Sequence, residues 1–324
     1  MQDFQLIEYH HTRDFSRKMN ATFEFIKQNW KSLGKASLYI AGPPVLIASL
    51  IMGSFFGEMF NMASNTGSAN TLELLGSATF WLQLGLAMIL FLLSSVMSIA
   101  TINNYIILYE ELKTSDIPTA LVWERVRSTF LVYLRTTLSF LVCFVVLGFL
   151  IAIPFAILAA MSPALVILGI WVAFIGVFYL FFSVSLTFII RAYEGRGFFE
   201  SMRRSFNLIK GKWWSTFGLI FVLYLVMMMI SYIPIIPLYI IMAVSVVHDV
   251  SADPDTNPLQ GMGIMMTVFM AVYYMIQILL AALPNVGIAF QYFNLVEMKE
   301  ARGLMSSIEN FGDASPAPQS DETY

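Results

Sequence analysis

Residues 136–190 read TTLSFLVCFVVLGFLIAIPFAILAAMSPALVILGIWVAFIGVFYLFFSVSLTFII, bounded by Arg135 and Arg191, with no charged side chain between them. A helix needs about 20 apolar residues to cross the hydrocarbon core of a bilayer. This stretch holds two such lengths, 133–160 and 163–190, with only Met161–Ser162 left for a turn. The backbone must satisfy its own hydrogen bonds in lipid, so both lengths are expected to be helical. The alternating ten-residue strands of a membrane barrel are not seen.

Four further runs have the same character, at roughly 36–56, 79–105, 214–247 and 262–296. The last is about 50 Å long if straight, at about 1.5 Å per residue, and is expected to tilt, bend at Pro284 or extend beyond the bilayer. The whole chain agrees with six spans. It is 58% hydrophobic and 12% charged, with mean hydropathy +0.73, where a soluble domain carries about 25% charged residues.

The cations orient the map. Arg13, Arg17, Lys18, Lys27, Lys31 and Lys35 precede the first span. Lys113, Arg125 and Arg127 lie between the second and third, with Arg135 just inside the third. Arg191, Arg196, Arg203, Arg204, Lys210 and Lys212 lie between the fourth and fifth, and Lys299 and Arg302 follow the last. All 18 fall on one side. The opposite connections, 57–78, Met161–Ser162 and 248–261, carry only the acids Glu58, Glu73, Asp249, Asp253 and Asp255. The positive-inside rule assigns the cationic side, with both termini, to the cytoplasm. The first 35 residues are polar, so the first span is expected to be an uncleaved anchor.

The basic segments carry helical periodicity. Phe15, Met19, Phe23, Ile26 and Trp30 recur at steps of 4, 4, 3 and 4, one face of an α-helix. Such a helix would lie in the headgroup plane and lead into the first span. Phe198, Met202, Phe206, Ile209 and Trp213 repeat this spacing at a constant offset of 183 residues. Both stretches fit M-x-x-[ST]-F-x-[FL]-I-K-x-x-W. Val122, Val126, Phe130 and Tyr133 hold the same steps more weakly.

The expected fold is therefore an all-α polytopic transmembrane helical bundle of six spans, with three amphipathic interfacial helices on its cytoplasmic face. A polar segment, 1–12, precedes one membrane domain, 13–302. That domain reads as three units of interfacial helix plus hairpin, 13–105, 117–190 and 197–296, in parallel orientation. Pro118 suits the start of the middle helix, and Gly195 and Gly197 the entry to the third. The acidic tail 303–324 has a disordered composition.

Catalytic constellations are missing from the sequence. His10 and His11 are adjacent and diverge, His248 stands apart, and a metal site needs several convergent ligands. Ser94, Ser95 and Ser98 have no histidine or lysine beside them to act as a base. Glu110–Glu111 lacks the histidine partner a metalloprotease would need, and reads as a solvated pair past the second span. Gly261 and Gly263 form no phosphate loop. Cys143 excludes a disulfide framework and reads as a small core residue. The expectation is a protein with no enzymatic activity, no cofactor and no metal.

Two groups of residues are candidate sites. The first is a basic rim with interleaved aromatics: Arg17, Lys18, Lys27, Lys31 and Trp30, matched by Arg203, Arg204, Lys210, Lys212, Trp213 and Trp214. Each cation near an anionic leaflet contributes about 1 kcal/mol, and tryptophan suits the interface. Simple anchoring, recognition of specific anionic lipids and docking of a cytoplasmic protein are the readings of this rim; the partners expected of the whole protein are membrane lipids and a membrane-protein partner. Nucleic acid is not an expected partner, at net charge −3. The second group is uncharged and intramembrane: Asn103, Asn104, Gln277, Asn285 and Gln291. Interhelical hydrogen bonding is its ordinary role; lining a polar cavity is the alternative, with Asn285 beside Pro284 best placed.

The stretch Glu200–Trp214, ESMRRSFNLIKGKWW, resembles a signature of a bacterial family of six-span membrane proteins. That family includes the membrane domain fused to some glycerophosphodiester phosphodiesterases, along with stand-alone relatives of unknown function. Ser205, Leu208, Lys210, Gly211 and Trp213 match its turn before the fifth span, and the layout is similar over about residues 13–297. The resemblance implies a bacterial inner-membrane setting and a link to lipid metabolism. It does not imply phosphodiesterase activity, because the catalytic domain is absent. The function expected is that of a non-enzymatic membrane protein engaging anionic lipid or a partner, as an accessory subunit; the alternative is a transporter or channel for a neutral or amphipathic solute.

Overall fold

The structure, a computed structural model, describes residues 6–9, 11–64, 76–252, 262–301 and 305. Ten α-helices and no strand occur among the described residues: α1 (Phe15–Ser64), α2 (Ala78–Leu112), α3 (Thr119–Met161), α4 (Pro163–Ser183), α5 (Thr187–Glu194), α6 (Phe198–Ile209), α7 (Trp213–Tyr232), α8 (Ile235–Ala252), α9 (Met262–Leu280) and α10 (Ala282–Glu300). His10, the acids Glu73, Asp253 and Asp255, Gly261, Arg302 and the tail beyond Met305 lie outside the described residues.

Six helical stretches are long and apolar enough to cross a membrane: Phe15–Met59, Ala78–Leu112, Thr119–Met161, Leu165–Glu194, Trp213–Tyr232 and Ile264–Glu300. The run at 214–247 divides. Its first part, α7, is long enough to span, and α8 begins afresh after Ile233 and Pro234. The final run breaks at Ala281, three residues before Pro284. Proline has no N–H for the carbonyl four residues back and its ring crowds that carbonyl. The helix therefore gives way one turn upstream of Pro284, where the sequence predicts a bend.

The basic segments are built in two ways. In the first and middle units they are not separate elements: α1 and α3 run unbroken from the basic stretch into the apolar one. No glycine–proline breaker interrupts 15–42, so the helix simply continues. In the third unit Gly211 takes φ 83°, a left-handed backbone, and Lys212 N–H bonds back to the Ile209 carbonyl at 2.8 Å. That turn ends α6 and starts α7 in a new direction.

Burial follows a different stripe from the large apolar one. In α1 the buried positions are Lys18, Thr22, Phe25, Asn29 and Leu33, while Phe15, Phe23 and Trp30 are exposed. At the offset of 183, Ser201, Ser205 and Leu208 of α6 are buried in turn, so the first and third units turn equivalent positions inward. The middle unit agrees only in part: α3 buries Val122, Val126, Tyr133 and Thr136, of which Val122 and Tyr133 hold the positions of the buried Phe198 and Ile209, and Thr136 that of the buried Asn29.

Helix α1 runs antiparallel to α9 and α10 along its length. Gly34 meets Leu279, Gly42 meets Met275 and Gly53 meets Thr267. At Gly53 the approach is closest: a Cβ there would strike the Thr267 backbone, so only glycine lets the helices cross. The main core sits at the end of the bundle that carries the cations. Tyr9, Phe25, Tyr105, Tyr109, Phe290 and Phe293 form its centre, with Tyr9 stacked on Phe293 at 4.8 Å between centroids and Phe25 edge-on to Tyr109 at 5.0 Å. The other end is loose. No residue of α3 beyond Thr136 is buried, and Phe149 is 70% exposed. Lipid tails are as apolar as these side chains, so little drives such helices together.

Candidate functional site

Two polar centres lie in the packed base. The first is Glu194, the last residue of α5, whose side chain is only 6% exposed. Its Oε1 accepts from Arg204 Nε at 2.6 Å and from the Tyr292 hydroxyl at 2.8 Å. Its Oε2 pairs with Arg196 at 2.6 Å. Arg204 also reaches Glu300 at 2.7 Å. One carboxylate thus ties α5, α6 and α10 together. Burial alone would lower the pKa of the Arg204 guanidinium; the hydrogen bonds and charges of Glu194 and Glu300 outweigh it and hold the group above its ordinary value.

The second centre is Lys18, 2% exposed. Its ammonium donates to Gln291 Oε1 at 2.8 Å and Ser215 Oγ at 2.9 Å. The Gln291 amide in turn donates to Thr216 Oγ1 at 2.8 Å. The spacing Lys18–Thr22–Phe25 puts the lysine on the inward stripe of α1, so it faces α7 and α10 and not headgroups. This corrects its assignment to the rim. Arg204 leaves the rim for the same reason, drawn inward by two carboxylates. Trp213 is partly covered, stacked on Phe217 at 5.4 Å and on Tyr179 at 5.4 Å.

The rest of the rim is open. Arg17, Lys27, Lys31, Arg203, Lys210 and Lys212 are exposed, as are Trp30 at 61% and Trp214 at 76%. Arg17 has only a loose pair with Asp14 at 3.7 Å. Lys299 of α10 fixes the α6–α7 half of the rim by donating to the carbonyls of Asn207 and Lys210.

The uncharged group separates into four places. Asn104 is packed, donating to Thr129 Oγ1 at 2.8 Å, and Gln291 belongs to the Lys18 network. Asn103 and Asn285 come together in one cavity of about 310 Å³ between α2, α3, the α4–α5 junction, α7 and α10. Gln277 lines a second cavity of about 460 Å³ with Tyr273 and Tyr232. Tyr224 forms part of the wall of both. Among the described residues, no three His, Cys, Asp or Glu side chains converge on a possible metal site.

Sequence reasoning missed Glu194, although an acid set among Arg191, Arg196, Arg203 and Arg204 is a visible irregularity in a cationic segment. It also missed Tyr224 and Ser185 as cavity residues. Nothing in a uniformly apolar span marks which side chain faces inward.

The fold and these sites define a polytopic α-helical membrane protein with a hydrogen-bonded base and two cavities among its spans. The chain belongs to a family described as a domain of unknown function, DUF7847, matched over residues 30–293. No curated protein matches it, and no solved structure does.

Proposed function

We propose that this is a non-enzymatic integral membrane protein whose cationic end engages anionic lipid headgroups. The observation that carries the reading is the rim itself. Six exposed cations and two exposed tryptophans, from α1 and from α6–α7, share one end of the bundle. The inward pairing of Lys18 and Arg204 strengthens it, because among the described residues the rim cations left outside have no close acidic partner beyond Asp14. The orientation proposed with it puts this end and both termini in the cytoplasm of a bacterial inner membrane, as the distribution of cations suggests. Kinship with phosphodiesterase-linked membrane domains, and a role as an accessory subunit in lipid metabolism, form part of the same proposal. They are supported by the motif at Ser205, Leu208, Lys210, Gly211 and Trp213.

The test is lipid retention. The protein is reconstituted in vesicles of phosphatidylethanolamine and phosphatidylglycerol, re-extracted, and its bound lipid counted by native mass spectrometry. Replacing Lys27, Lys31, Arg203, Lys210 and Lys212 with glutamine removes contributions of about 1 kcal/mol each at the surface. Phosphatidylglycerol enrichment is expected to collapse toward the bulk composition. Unchanged enrichment in a folded variant overturns the reading.

A further inference from the structure

The cavity holding Asn103 and Asn285 has three features that a mere packing gap lacks. It is polar without being charged: the two amides, Thr137 and Ser185 stand in a wall otherwise made by residues such as Phe140, Phe144 and Phe188. An amide in an apolar setting is costly unless bonded; Asn103 is buried and lies within hydrogen-bonding reach of the Tyr133 hydroxyl, so a ligand would have to share that amide.

It also lies where two spans depart from regular α-helix while keeping right-handed backbone and hydrogen bonds: the Ser185 and Thr187 N–H groups bond to the carbonyls three residues back, and the Ala281 N–H bonds to the Gln277 carbonyl. The turn at Val184–Leu186 separates α4 from α5, and Ala281 separates α9 from α10. Val184 and Ser185 from one junction, and Asn285 from beside the other, line the cavity. Irregular backbone at membrane depth is tolerated where it is buried in protein or lines a cavity, and discontinuous helices build the binding sites of many membrane carriers. Side chains there bond to backbone carbonyls as well. Asn285 Nδ2 donates to the Ala281 carbonyl at 2.8 Å, and Ser185 Oγ to the Phe182 carbonyl at 2.8 Å. That bond uses one of the two hydrogens of the Asn285 amide nitrogen; the second N–H and the oxygen remain as a donor and an acceptor.

The third feature is next door. Across Tyr224, in the larger cavity, Gln277 Oε1 is buried without a hydrogen-bond partner. Leaving a buried acceptor unmet costs about 1–3 kcal/mol, so this region supplies acceptors and asks for a donor.

We propose that the cavity between α2, α3, the α4–α5 junction, α7 and α10 binds an uncharged lipid, whose hydroxyl head bonds with Asn103 and Asn285 while an acyl arm lies along the phenylalanines. The absence of any charged wall residue argues against a phosphate or carboxylate head, since a charge at this depth would be left unpaired. A volume of about 310 Å³ suits the head and the first part of one chain, the remainder lying in the bilayer. The rim and this cavity are separate sites with opposite headgroup preferences.

The experiment is photolabelling in nanodiscs with a diacylglycerol bearing a diazirine and an alkyne on one acyl chain. A phosphatidic acid with the same labelled chain is the comparison. The expected result is labelling of peptides from residues 137–144 and 181–189 by the diacylglycerol, at least fivefold above the phosphatidic acid and competed by unlabelled diacylglycerol. Asn103→Leu with Asn285→Leu is expected to lower it about fivefold or more, at about 1 kcal/mol or less per bond; Thr137→Trp, which fills the cavity, is expected to abolish it. The glutamine variant of the rim should label as the wild type does, which separates failure of this site from failure of the rim. Equal labelling by both probes, or labelling no stronger than that of the lipid-facing stretch 165–175, overturns the proposal. That comparison uses the wild-type protein, so it holds even where a variant does not fold.

Discussion

At the cationic end, helices from every part of the chain meet in a core of tyrosines and phenylalanines laced with hydrogen bonds: Tyr105 to Asn29 at 3.0 Å, Tyr9 to the Ile106 carbonyl at 3.1 Å, Glu194 to Arg204 and Tyr292. In the α3–α4 hairpin, from Thr137 to Phe181, no described side chain is buried, and large aliphatic and aromatic ones such as Phe149, Leu150 and Trp171 are exposed. Both regions are apolar in sequence. What separates them is polar chemistry. Hydrogen bonds and close small-residue contacts hold helices together in lipid, where burying more hydrocarbon brings little. The base has such groups and packs; the hairpin lacks them and presents itself to the bilayer.

This contrast breaks most readily at the aromatic core. Phe25→Ala, at a fully buried position, is expected to cost about 3–5 kcal/mol, while Phe149→Ala in the hairpin should cost about 0.5 kcal/mol or less. Denaturation of the purified protein in mixed micelles measures both, and equal losses would erase the distinction. Next is Glu194→Ala, which strips Arg204 and Tyr292 of their acceptor. Breaking a buried pair costs about 3–5 kcal/mol. The partly exposed Arg196 and the surviving contact to Glu300 put the expected loss at about 3 kcal/mol or somewhat less. The smallest effect sharpens the comparison within the spans. Gly53→Ala drives a methyl into the Thr267 backbone and is expected to cost about 1–3 kcal/mol. Gly148→Ala, with open space around it, should change stability by about 0.5 kcal/mol or less. The same unfolding assay reads both.

The spans were legible because membrane insertion reads length and hydropathy, and those are local. The interruption at Ala281 was legible in part for the same kind of reason, since proline acts on its own turn, although tilting and extension beyond the bilayer were equal expectations for that run. The inward face of α1 was not. Phe15, Met19, Phe23, Ile26 and Trp30 form the stronger apolar stripe, and in water that stripe would be buried. In the structure Phe15, Phe23 and Trp30 of that stripe are exposed and Met19 and Ile26 only partly packed, while Lys18, Thr22, Phe25 and Asn29 turn into the protein. Half the candidate cavity was legible on similar terms. Asparagine and glutamine stand out in a span, but sequence does not say which will meet. Asn103 and its neighbour Asn104 have different partners: Asn103 lines the cavity beside the Tyr133 hydroxyl, and Asn104 bonds to Thr129.

The amino-acid sequence by itself determined the solvent of each segment, the six apolar stretches and the segregation of cations to one end, because each depends on composition over a few turns of helix. The pairing of Glu194 with Arg204, the burial of Lys18 and the meeting of Asn103 with Asn285 were decided only by the tertiary structure. Those residues lie far apart in the chain, and their chemistry depends on which helix faces they share, a property of packing that no local stretch contains.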